Sequence, residues 1–345
     1  MKSNSQRTTK SDPVETGELH TPKGRRRLRK CSLVWSVMVV VLLAGALGSW
    51  RGSLGGEKGT GRIPPSVSDL PSLLVLPVQA LQLTDIARMN LLCAEGLPGS
   101  EDLEVNRSLA ILDEMAARVR AETERHHYRF QRNPAEFENS EGYFRMIMLA
   151  VVLVEDFQVQ YAPNKIGNAA NAWTGDGFFA DSRDVFLHGL TGATPRGTCS
   201  SLPVLQVAIG RRLGYPLKLV TTKGHLFVRW EDGRERFNIE AAGQGVNRFS
   251  DDYYRHWPLE VSDEEIQAEG YLKSLSSAEE LAVFLSTRAM CLGEAKRNAE
   301  AAEAFRQATR LSNCRSYRLM QAEMERMADT MNRELVAAKQ RESKP

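Results

Sequence analysis

The chain has 345 residues, of which 42% are hydrophobic, and a net charge of +2 from 45 basic and 43 acidic side chains. The first thirty residues alone carry +6, so the remainder carries −4. No basic surface is left over for nucleic acid, and the tail suits anionic lipid headgroups better. The five cysteines, at 31, 93, 199, 291 and 314, are too sparse for a disulfide scaffold and have no CxxC metal spacing.

Residues 33 to 50 contain no charge. With Cys31 and Ser32 they reach the ~20 residues a helix needs to cross a bilayer. Arg25, Arg26, Arg27, Arg29 and Lys30 precede them, which predicts a cytoplasmic tail (1–32), one membrane span (33–50) and an extracytoplasmic main domain in the cell membrane. The rival is a cleaved signal peptide ending at Ala44-Gly45-Ala46, but thirty polar residues are long for its leading segment. Residues 51–72, rich in Gly, Ser and Pro, read as a flexible tether.

The body follows as 73–262 and a helical region 263–345. Glu101 to Arg129 and Asn139 to Tyr161 read as helices. Met146 to Val154 is an apolar run too short to span a bilayer, so it belongs to a buried helix. His126 and His127 are adjacent and would point to different sides of a helix, with no third ligand near, so no metal is expected. Residues 162–197 show little periodicity and read as a long folded loop bordering a site, in which Asn171 or Trp173 could serve an oxyanion hole.

Leu202, Leu205, Ile209 and Leu213 form an apolar stripe at helical spacing, which Gly214 and Pro216 stop. Thr198 is a candidate N-cap, placing Cys199 in the first helical turn, where unpaired N–H groups and the helix dipole favour thiolate. His225–Trp230 and Arg234–Glu240 read as two strands joined at Asp232-Gly233. A two-residue turn would set Val228 against Phe237, Leu226 against Ile239 and His225 against Glu240, with Asn238 diagonal to His225. It would also oppose Arg229 and Arg236, an unfavourable pair.

Phe186-Leu-His-Gly-Leu, Gly197-Thr-Cys-Ser-Ser-Leu, Ala208-Ile-Gly-Arg-Arg-Leu-Gly-Tyr-Pro216, Gly224-His225 and Phe237-Asn-Ile-Glu240 together resemble the bacterial branch of the transglutaminase-like superfamily, over roughly residues 140–260. The resemblance implies an α+β, papain-like core: a nucleophile helix packed on a small antiparallel sheet that carries a histidine and an acid. Carried over by position, Cys199 is the nucleophile, His225 the base and Glu240 the orienting acid. Glu240 stands where the superfamily usually has Asp, so Asn238 stays open as an alternative third member.

Residues 277 to 342 look all-helical. Leu285, Ala289, Leu292, Ala301, Phe305 and Ala308 resemble the small/large pattern of one tetratricopeptide repeat, which must pack on the core or on the following helix to bury its face. A plain helical hairpin is the alternative. In an exported domain Cys291 and Cys314 could pair across it.

Two functions follow. One is a membrane-anchored thiol enzyme that transfers or hydrolyses the acyl group of a protein or peptide amide, without a cofactor. The other is a non-catalytic envelope scaffold that binds peptides or protein partners through the cleft or the C-terminal helices.

Overall fold

Helix α7 (Leu202–Arg212) sits at the centre of the fold. Leu202, Leu205 and Ile209 of the expected stripe are buried, and so are Val204, Val207 and Ala208. A helix apolar nearly all round belongs inside a core. It ends as the sequence predicts: Gly214 takes φ +76°, and the Tyr215 N–H donates to the Gly210 carbonyl at 2.8 Å. The computed structural model describes residues 67–165, 177–242 and 246–342, all within one compact α+β unit. The tail 1–32 and the run 33–50 lie outside the described residues. Among those described, no helix is long and apolar enough to cross a membrane.

Strands β3 (Leu217–Thr222), β4 (His225–Glu231) and β5 (Arg236–Ile239) form an antiparallel sheet in that order. Its inner face, with Leu219, Leu226, Val228, Trp230, Phe237 and Ile239, joins the main core with α7. On the reverse face Val220 and Phe227 pack with Tyr254 of α8 (Asp251–His256). The faces are those the sequence alternation predicts, but the register is shifted by two residues. Val228 pairs with Ile239, Arg229 with Asn238, and Glu231 with Arg236. The cause is the turn. The Asp232 carboxylate accepts from the N–H groups of Arg234 and Glu235, both at 2.8 Å, and so stabilises a loop of Asp232 to Glu235 instead of a two-residue turn. A two-residue slip preserves the faces. It also ends the direct opposition of Arg229 and Arg236, which instead share the Asp251 carboxylate.

Helices α3 (Ile86–Ala94), α4 (Val105–Arg132) and α5 (Glu141–Glu155) enclose the core. In the 146–154 run Met146, Met148, Leu149, Val152 and Leu153 are buried, while Val151 and Val154 are exposed, so α5 is a core helix with one open face. His127 contacts Glu141 at 3.2 Å and His126 contacts Glu122 at 3.5 Å. The folded unit begins earlier than the sequence suggests. Val67 is buried, and α1 (Leu70–Leu74) opens with a capping box at Asp69 and Ser72, inside the stretch read as tether.

Helices α10 (Ser277–Glu294) and α11 (Asn298–Leu311) pack together, with Leu285, Ala289, Leu292, Ala301, Phe305 and Ala308 all buried. The longer α12 (Arg315–Glu342) covers α11. Cys291 and Cys314 are both free, and Cys291 is buried. α10 also packs on α3, so the helical region is continuous with the core.

Candidate active site

Cys199 lies in a turn three residues before α7, not in its first turn. The Leu202 N–H donates to the Thr198 carbonyl at 2.9 Å, but the next residue, Pro203, has no N–H to offer the Cys199 carbonyl. The helical ladder therefore cannot run back through Cys199. The turn is fixed from the side: the hydroxyls of Thr198 and Ser201 each donate to the Asp184 carbonyl at 3.0 Å. Asp184 belongs to α6 (Ser182–Val185), a short helix in the loop expected to border the site. Gly197 is required here by close approach, since a Cβ would stand 2.5 Å from Ser201 Oγ.

His225 opens β4 directly after the Lys223-Gly224 turn, in which Thr222 pairs with His225 and Gly224 takes φ +74°. Its Nε2 contacts Glu240 Oε2 at 2.8 Å. The remaining nitrogen, Nδ1, is buried without a hydrogen-bond partner, and Cys199 lines the same cleft, close enough to act on the ring. Burial opposes the charged imidazole, but Cys199 and Glu240 together outweigh it and lift its pKa to about 9. The His225 side chain is 1% exposed and Cys199 is 5% exposed. Trp257 covers the ring edge-on, with centroids 4.7 Å apart.

Glu240 follows β5 and bridges to Asn247. Beyond His225, its carboxylate accepts from the Tyr254 hydroxyl at 3.1 Å and the Ala242 N–H at 2.8 Å, which fixes its orientation. Asn238, the alternative third member, is committed elsewhere. Its oxygen accepts from Arg229 Nε at 2.8 Å, and its amide donates to Asp251 at 2.7 Å and to the Phe249 carbonyl at 3.0 Å. Arg229, 1% exposed, completes that network with Asp251 at 2.6 Å. Sequence reasoning missed it because a buried arginine leaves no mark on hydrophobic alternation.

Tyr161 is a second residue the sequence did not flag. The short strand β1 (Gln160–Tyr161) pairs in parallel with β2 (Arg196–Gly197), setting Tyr161 beside Gly197. Its hydroxyl is close enough to Cys199 for the two to act on each other electrostatically. Burial, reinforced by Cys199, pushes its pKa up, so it stays protonated and can donate. A two-residue strand gives no sequence signal. Asn171 and Trp173 lie outside the described residues. Lys165 anchors the near wall by donating to the carbonyls of Gly177 at 2.6 Å and Phe178 at 3.1 Å.

The arrangement provides a sulfur nucleophile, an imidazole with one nitrogen on a carboxylate and the other left for proton transfer, and a phenol donor beside the sulfur. Among the described residues no cluster of three or more His, Cys, Asp or Glu is arranged for a metal ion. The chain matches no family model, no curated protein and no solved structure.

Proposed function

We propose that this chain is a membrane-anchored, transglutaminase-like thiol enzyme acting on carboxamide or peptide bonds of proteins or peptides. The observation that carries the reading is the convergence of Cys199, His225 and Glu240, from three separate elements, with the imidazole held on Glu240 at 2.8 Å and sharing one cleft with the thiol. The thiol proton passes to His225. Sulfur then attacks the substrate carbonyl, and the developing oxyanion is met by Tyr161. The C–N bond breaks, the amine leaves with the proton from His225, and a thioester remains on Cys199. Water or an amine attacks that thioester and gives its proton to His225, and sulfur leaves as thiolate. Water gives hydrolysis; an amine gives cross-linking. Glu240 holds the ring throughout.

The enclosure of Cys199 and His225 favours the second reading, a scaffold that keeps the fold without turnover. Iodoacetamide separates the two. Burial pushes the Cys93 thiol up to about 12 and raises Cys291 and Cys314 as well. The enzyme reading expects Cys199 to alkylate fastest near neutral pH despite its burial, and His225→Ala to slow it by about tenfold or more. Equal rates across the native thiols would leave the scaffold.

A further inference from the structure

The cleft beside Cys199 and His225 is walled on its far side by the C-terminal helical region. The chain places that wall deliberately. The N–H groups of Leu272 and Leu275 donate to the Thr221 and Leu219 carbonyls, both at 2.9 Å, and Ser274 bridges Val220. This linker occupies the free edge of β3, so α10 must emerge alongside the sheet. Val283, Ser286, Thr287 and Met290 of α10 then line the cleft at i, i+3, i+4 and i+7, one face of a helix. The polar members of that stripe are spent internally: the Ser286 and Thr287 hydroxyls donate to the Val283 carbonyl at 2.8 and 3.0 Å. Phe178, Phe179 and Leu275 complete its apolar lining.

The charged groups of the cleft are committed too. Lys273 pairs with Glu279 at 2.6 Å, and the Glu269 carboxylate accepts from the Ser316 N–H at 3.1 Å and its hydroxyl at 2.6 Å. A charged substrate group entering here would lose water beside this apolar lining, which is costly.

Resting on the proposed thiol chemistry, we infer that the C-terminal helices form the specificity wall of the Cys199 cleft, and that it selects a peptide with an uncharged, apolar side chain next to the scissile residue. On this inference the helical region is a part of the substrate site. The test uses the purified full-length protein and three peptide chloromethyl ketones, N-acetyl-Leu-Gly, N-acetyl-Asp-Gly and N-acetyl-Lys-Gly, with Cys199 modification followed by mass spectrometry. The leucyl probe should react at least about tenfold faster than either charged probe. Met290→Glu, at a half-buried position, should erase that preference. Val283→Lys provides the same arm if the first variant fails to fold. Equal rates for the three probes, with iodoacetamide still selective for Cys199, would overturn the specificity wall and leave the nucleophile standing. Loss of iodoacetamide selectivity in the wild type would remove both.

Discussion

Glu240 is one methylene longer than the aspartate the resemblance implies, and the observed register gives that methylene a use. With Val228 opposite Ile239, Glu240 is diagonal to His225 rather than facing it. Diagonal neighbours lie about 7–8 Å apart across an antiparallel pair, beyond a short side chain but within reach of a longer one. Glu240→Asp and Glu240→Gln should therefore both slow Cys199 alkylation, by about tenfold. Asn238→Ala should leave the rate within about twofold and lower thermal stability, because it breaks the Arg229–Asp251 network. Slowing by Asn238→Ala equal to that of Glu240→Gln would return the third position to Asn238. The histidine also sets a pH dependence. Its folded pKa of about 9 exceeds the unfolded value of 6.5, so its contribution is fully present below pH 6.5 and disappears as pH rises through 9. The unfolding free energy should fall across that window by on the order of 3 kcal/mol at most, read from denaturation midpoints. His225→Gln should flatten the profile, and a wild type already flat from pH 6.5 to 9 would contradict the assignment.

At the scale of elements, the site depends on turns more than on strands. Gly224 reverses the chain immediately before His225 with φ +74°, a conformation costing a residue with a Cβ about 1–2 kcal/mol. Gly224→Ala should lower the unfolding free energy by that amount, read as a lower urea midpoint with an unchanged m value, and should loosen His225 from Glu240. An unchanged midpoint would mean the turn carries no strain. The short β1–β2 pair and the Pro203-truncated start of α7 act in the same way. Each stops a regular element at the residue where a functional side chain must be held.

Across the whole molecule, the proposed site draws on residues 161, 199, 225, 240 and the proposed wall at 272–290, so no smaller segment contains it. The uncharged run 33–50 with its basic flank points to one span and an outward-facing domain. Protease added to spheroplasts should digest loops beyond residue 66 and leave a protected N-terminal fragment. Recovery of the intact chain from the soluble fraction would rule out the anchor.

The amino-acid sequence by itself identified the central helix, the strand faces, the six buried positions of the α10–α11 pair, and Cys199, His225 and Glu240 as residues to bring together. These follow from local periodicity, turn chemistry and resemblance. Only the tertiary structure decided the strand register, because Asp232 chose the loop length through its own side-chain hydrogen bonds. It alone placed Glu240 rather than Asn238 on His225, since that depends on where a buried Arg229 finds its partners, which lie up to 43 residues away in sequence. It alone brought Tyr161 to the thiol and α10 to the cleft. Such long-range contacts leave no period in the chain, because they are set by packing between elements rather than by the spacing within one.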